Sequence, residues 1–401
     1  MFMKTMLKFI LPLWLAMAIN TLLSIADNYL LNQYNANFIS VKGLASLPVL
    51  LLSTFFIGLG IECNRRTASE EKFSFFSSVA VIFVFAVLAV VIALCGAELF
   101  LFYTRKHLLY LDILSYYRIF IWDLIPLSIL YLCTGLMRGS GKPQITVVFS
   151  ALTVVCKVLF NQWFVHEQLL NSPLLNVALA TVLCDVLIIL LYLLYIRFVA
   201  FREKLKEKAV FTMIFFRQGF SYSIEKFLSS SSMTIISRFF LVNLIVEDSN
   251  IYYNVLNYFD PILMLPYAYF EWVLYATTKG LKNSTKTNTI LYTLLLCGMR
   301  FGVYRYLGIK TFTQDFFLWI YLVYSVLFLA EREVMAKYFA MQKANFANRI
   351  VLFRAIFILG CFFFLQSFHQ FHLLSLMGVQ IVGFIFEILV LQYQRSWSSQ
   401  K

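Results

Sequence analysis

Charge is scarce in this chain. Of its 401 residues only 13% are Asp, Glu, Lys or Arg, and only four are histidine. No GxxxxGK[ST] phosphate loop, protein-kinase set, GxSxG elbow or HExxH pair occurs, which removes the usual grounds for an ATP site, a serine hydrolase or a zinc protease. The seven cysteines (Cys63, Cys95, Cys133, Cys156, Cys184, Cys297, Cys361) lie in or beside apolar runs and form no CxxC or Cys/His cluster. Neither a zinc site nor a disulfide framework is expected, and the thiols read as small buried hydrophobes. His369 and His372 in FHQFH read as polar loop residues. No cofactor or metal is implied, and no enzyme: a membrane-embedded acyl- or glycosyltransferase should gather His and Asp, or a metal-binding Asp pair, at one membrane face. Without an ATP site, any work is driven by an ion gradient, a membrane potential or the substrate's own gradient.

What the chain has in excess is apolar surface. It is 61% hydrophobic and 18% aromatic, with a mean hydropathy of +0.80. Soluble domains are nearer 45–50% apolar and about 25% charged, so this is a polytopic membrane protein. Crossing roughly 30 Å of hydrocarbon takes about 20 residues. Segments of that kind recur near 8–31, 43–62, 77–102, 117–137, 145–165 and 174–199, then near 212–242, 251–276, 288–308, 314–336, 347–367 and 371–393. The first is too long for a signal-peptide core and no small-residue cleavage site closes it, so it reads as a retained span. The expectation is all-α, with about twelve transmembrane helices.

The net charge of +13 is a matter of topology rather than of nucleic acid. Lys4, Lys8, Arg65, Arg66, Lys72, Arg138, Lys142, Arg202, Lys204, Lys206, Lys208, Lys279, Lys282, Lys286, Lys337, Lys343, Arg349, Arg395 and Lys401 fall on one side of the span pattern; the other has only Lys42, Arg105, Lys106 and Lys310, with Arg118, Arg305 and Arg332 near span ends. The basic side is cytoplasmic, so both termini are inside. The one strongly charged linker, FREKLKEKAV (201–210), divides the chain. It implies an N-terminal six-helix lobe (1–200), a cytoplasmic linker (201–211) and a C-terminal six-helix lobe (212–401), a repeat pattern typical of secondary transporters. Two faint internal matches agree with it. IADNYLLN (25–32) near the outer end of the first span corresponds in place to ISRFFLVN (236–243) in the seventh, and GLMRGSGKP (135–143) ends the fourth as YFAMQKAN (338–345) ends the tenth.

The few charges inside spans are the candidate functional residues, because such residues are costly and usually line ion or substrate paths. Asp27 ends a long apolar run, and either titrates in a cavity or reaches interfacial water. Lys157 sits in TVVFSALTVVCKVLFNQ, too deep to snorkel, and needs a counter-charge. An Asp27–Lys157 pair is expected, with Asn161 one turn along the same face, acting either as a gate or as a static strut. Arg238 occupies the seventh-helix place matching Asp27, which makes it either a latch partner for Asp27 or a snorkelling arginine. Glu225 in SYSIEKFLSSSSM is the leading second-lobe cavity residue. Asp123, Asp185, Asp260 and Glu271 are weaker candidates, and Glu331-Arg332-Glu333 is expected to form interfacial ion pairs.

GLMRGSGKPQITVVFSALTVVCKVLFNQWFV (135–165) resembles the fourth-to-fifth helix junction of the multidrug and toxic compound extrusion (MATE) transporters. IADNYLLNQYN and VKGLASLPVLLLSTFFIGLGIECNRRTASEE resemble that family's first two helices. The motif-level likeness covers about the first 165 residues, while span number and linker agree throughout. It implies two six-helix bundles around a central cavity that opens alternately to either side. The wider superfamily includes flippases of lipid-linked oligosaccharides and polysaccharides. Asp27 matches the family's first-helix acid, which in proton- or sodium-driven members belongs to the ion-binding carboxylate cluster. At the fifth helix, Lys157 falls where the family has Asn, and Asn161 where it has Asp. The implied function is export of an amphipathic organic solute by proton or sodium antiport, with Asp27 as the protonation site. The alternative is a flippase for a lipid-linked saccharide, for which Lys157, Arg238 and Arg300 suit an anionic substrate. Expected partners are membrane lipid, that solute or saccharide, and H+ or Na+, with no nucleic acid, in a monomer of the inner (plasma) membrane.

Overall fold

A computed structural model describes residues 2–35, 37–71, 74–105, 109–200, 213–228, 264–281, 292–293, 297, 312–367 and 373–398. Among them no strand occurs. The helices are α1 (Phe2–Tyr34), α2 (Asn37–Ala68), α3 (Phe75–Cys95), α4 (Tyr110–Gly139), α5 (Gln144–His166), α6 (Pro173–Tyr195), α7 (Met213–Lys226), α8 (Phe312–Ala340), α9 (Ala344–Ser367) and α10 (Leu373–Ser398). A further helical segment covers 264–278. Among the described residues, six stretches are long and apolar enough to cross a membrane: α2, α3, α4, α5, Pro173–Val199 and Asn345–Leu365. The expected spans find their helices in order, α1 to α6 for the first six, α7 and 264–278 for the next two, and α8 to α10 for the last three. The ninth lies outside the described residues except for Tyr292, Thr293 and Cys297.

Contacts divide the chain into two compact units. One is Leu15–Ser223; the other is Ile224–Lys401 together with Met1–Trp14. In the first unit α2 lies against α4 along a seam of small residues. A Cβ on Gly135 would stand 2.2 Å from the Gly60 carbonyl oxygen, and one on Gly139 would stand 2.4 Å from that of Asn64. Gly58 is equally tight against α7, where a Cβ would meet the Ser223 amide at 2.2 Å. In hydrocarbon, where apolar side chains gain nothing by leaving lipid, close backbone approach is a main source of helix association.

The RGSG segment ends α4 with its own local logic. Gly141 adopts φ 70°, Lys142 donates to Met137 O at 2.9 Å and Gly141 to Arg138 O at 3.0 Å, a Schellman closure that suits glycine. YFAMQKAN closes α8 identically. There Gln342 takes φ 58°, Lys343 donates to Tyr338 O at 2.9 Å and Gln342 to Phe339 O at 3.0 Å. The internal match read from the sequence thus has the same backbone in both places.

α2 continues past residue 62, through Arg65 and Arg66, because their charges are answered locally. Arg65 Nε lies 2.9 Å from Glu62 Oε2, Arg65 Nη1 lies 2.6 Å from Glu71 Oε1, and Arg66 Nε lies 2.6 Å from Glu62 Oε1. Glu71 stands beyond the helix end. Burial opposes its charge, but the Arg65 hydrogen bonds and charge outweigh that and hold its carboxyl below the usual range.

The second unit corrects one expectation. Glu331, Arg332 and Glu333 do form ion pairs, but packed among helices rather than at the protein surface: all three are buried, at 0–2% exposure. Arg332 reaches Glu331 at 2.6 Å and Glu225 at 3.2 Å, with its guanidinium 5.0 Å from the Phe328 ring centroid. Arg354 of α9 pairs with Glu387 of α10, and Glu333 accepts from Tyr269 at 2.9 Å and pairs with Lys337. The counter-charges come from α7, α9 and α10, which the local sequence around 331 does not reveal.

Candidate functional site

Asp27 does not end its helix. α1 runs on for almost two turns to Tyr34, so the carboxylate is fixed mid-helix, 2% exposed. The chain then reverses tightly, with Asn37 N donating to Asn35 Oδ1 at 2.9 Å. α2 therefore starts alongside the end of α1 and delivers Lys42 to the Asp27 level. Lys42 Nζ stands 3.1 Å from Asp27 Oδ2 and 3.1 Å from Asn28 Oδ1. From α5, Lys157 Nζ reaches the same Oδ2 at 2.8 Å, and Asn161 Nδ2, one turn along, donates to Oδ1 at 2.9 Å.

One buried carboxylate thus holds two ammonium groups and an amide. The Asp27–Lys157 pair and the flanking Asn161 stand where the sequence pointed. Lys42 was missed: near a span end it reads as a topology marker, and only the α1–α2 reversal makes it a ligand of Asp27. Charge-assisted bonds of this kind are strong, and in a low-dielectric setting an isolated ion would be prohibitive.

The cluster borders a cavity of about 360 Å3 within the first unit. Tyr116, Phe120, Phe149 and Tyr192 supply apolar and aromatic wall, with the Phe149 and Tyr192 rings stacked at 3.9 Å. Asp123 and Asp185 face the same space, as does Arg138. Asp123 sits at a one-turn 3₁₀ interruption of α4, Ile121–Asp123; such breaks in a long helix often mark functional hinges. An apolar-walled hollow with a few convergent polar groups is the general form of a small-molecule site.

The remaining candidates lie elsewhere. Glu225 is fully buried in the other unit, against Arg332, and does not border this cavity. Arg238, Asp260, Arg300, His369 and His372 fall outside the described residues, as does the 201–210 linker. Glu271 is described and buried.

Taken together, the helices and this largely apolar-walled hollow define a polytopic, all-helical membrane protein with a cavity inside the Leu15–Ser223 unit. Its fold is that of the MATE transporters. A MATE protein in its straight conformation superposes with a TM-score of 0.79 at 14% identity, over 99% of this chain and 97% of that one. A MATE protein in complex with Br-NRF gives 0.75 at 16%, over 99% and 96%. A transporter of the MOP superfamily from Pyrococcus furiosus, for which a reverse polarity of the binding pocket is taken to suggest a different function, gives 0.78 at 14%, over 98% and 96%. No family model and no curated protein matches the sequence.

Proposed function

We propose that the chain is a MATE-like secondary active transporter of the inner (plasma) membrane. It exports an amphipathic organic solute by alternating access, in exchange for protons or sodium, with Asp27 at the coupling site. The observation that carries this reading is Asp27 itself, a buried carboxylate on the edge of an aromatic-walled cavity, held by Lys42, Lys157 and Asn161. A proton or cation arriving at Asp27 competes with both ammoniums. Once one is released, the α1–α2–α5 contacts that it fastened are weakened and the lobe's preferred shape changes. A ligand shifts a conformational equilibrium only by its differential affinity for the two states, and exchange of a buried ion pair supplies a large difference.

One observation favours a second reading. Three cationic side chains, Lys42, Arg138 and Lys157, border the cavity, a set that suits an anionic headgroup and hence a flippase of lipid-linked saccharide. Among the structural neighbours, the Pyrococcus furiosus protein is one for which a reverse polarity of the binding pocket is taken to suggest a different function. The discriminating experiment uses proteoliposomes holding the purified monomer. Ethidium uptake under an imposed pH or sodium gradient is measured alongside translocation of a fluorescent lipid-linked saccharide. Gradient-driven ethidium transport that is lost in Asp27→Asn supports the antiporter. Saccharide translocation without ethidium transport overturns it in favour of the flippase.

A further inference from the structure

Two carboxyl groups in the first-lobe cavity are not used by the Asp27 cluster. Asp123, at the 3₁₀ break of α4, is 2% exposed, and Asp185 of α6 borders the same cavity. The 3₁₀ turn that carries Asp123 packs against α6, and the two carboxyls border the same cavity. Ionised carboxylates only accept; a hydrogen bond between two of them requires a proton on one. Asp123 Oδ1 is buried and finds no donor among the described residues.

We propose that Asp123 and Asp185 share one proton and form a second proton-carrying site of the first lobe, exchanging with Asp27 through Lys157.

The surrounding charges fit a single shared proton. The groups around the dyad are Asp27 of α1, Tyr116 and Tyr131 of α4, Lys157 of α5 and Cys184 of α6, and α2 adds Lys42 through the Asp27 cluster. α3 packs on the break but carries no charged residue. With three ionised aspartates against Lys42 and Lys157 the group carries one negative charge in excess; one proton on the dyad makes it neutral. Arg138 borders the same cavity about four turns along α4 from Asp123, roughly 22 Å away at an α-helical rise.

Lys157 is the mobile member. Its ammonium binds Asp27 and borders the same cavity as Asp123 and Asp185. When a proton or cation occupies Asp27, Lys157 leaves it and turns to the dyad. The dyad O–H bond breaks, the proton passes to cavity water, and the ammonium takes its place as counter-charge. One positive charge enters at Asp27 and one leaves at the dyad. The exchange through Lys157 rests on the coupling role proposed for Asp27; the shared proton does not.

The test is infrared difference spectroscopy of the full chain in nanodiscs at neutral pH, following the C=O stretch of protonated carboxyls. Wild type should show a band that both Asp123→Asn and Asp185→Asn remove, since an amide at either position bonds the remaining carboxylate without a proton. Asp185→Glu, which keeps both carboxyls, should retain the band at a shifted position and guards against loss through misfolding. Asp27→Asn should lose it as Lys157 turns to the dyad, and Asp27→Asn with Lys157→Met should restore it. A wild-type spectrum without the band, or a band that survives either dyad Asn variant, overturns the shared proton. A band intact in Asp27→Asn overturns the exchange even where that variant has lost transport.

Discussion

Asp27 has two counter-ions, and redundancy of that kind has a measurable signature. Lys157 Nζ lies 2.8 Å and Lys42 Nζ 3.1 Å from the same Oδ2, with Asn161 on the other oxygen at 2.9 Å. Replacing either lysine by Met removes one hydrogen bond to Asp27 but leaves the carboxylate compensated, a loss of about 1 kcal/mol, to which Lys42→Met adds its bond to Asn28 in the single and double variants alike. Replacing both leaves a buried, uncompensated charge, for which about 3–5 kcal/mol is the usual cost. The double variant should therefore exceed the sum of the singles, with a coupling of about 1–3 kcal/mol. Adding Asp27→Asn to the double variant removes the stranded charge and should recover most of the loss. The assay is reversible unfolding of the purified protein in mixed micelles, followed by tryptophan fluorescence. An additive double variant, or a triple variant no more stable than the double, would refute the shared-counter-ion geometry.

Other outcomes follow from the same structure. Gly135→Leu should abolish folded protein, because even its Cβ would lie 2.2 Å from the Gly60 carbonyl oxygen; size-exclusion yield reads it, and a monodisperse variant would contradict the seam. Arg332→Met strands Glu225 and Glu331 in the second unit and should cost about 3–5 kcal/mol, partly rescued by Glu225→Gln in the same unfolding assay. Glu71 has a depressed carboxyl in the folded protein, so its contribution is complete above its unfolded value and is lost as pH falls through the lower folded one. Partial exposure keeps that contribution small. Melting temperature against pH should show a shallow acid-side loss that Glu71→Gln removes, and an unchanged acid limb would speak against the Arg65–Glu71 pair.

The fold was largely legible because hydrocarbon permits so few backbone solutions. Runs of apolar residues near the bilayer thickness could only be helices. Asp27, Lys157 and Asn161 were legible for a related reason: a charge deep in an apolar helix demands an answer, and the i, i+4 spacing put Asn161 beside Lys157. Lys42 was not legible, because a lysine near a helix end has a sufficient topological explanation. The nearness of Asp123 and Asp185 depends on α4 and α6 meeting in space; Thr181, one turn before Asp185, borders the same cavity, but nothing in either helix's own sequence points to the other carboxyl. Arg332 misled for the opposite reason, since adjacent Glu331 and Glu333 made a local surface ion pair look adequate while Glu225, Arg354 and Glu387 converged from three other helices.

The most direct trial of the coupling role is proton movement itself. Proteoliposomes loaded with a pH-sensitive dye, held without an imposed gradient, are challenged with ethidium. Wild type should move protons as the organic cation is taken up, and Asp27→Asn should bind or leak ethidium with no accompanying pH change. Equal proton movement in the two would contradict the assignment of Asp27.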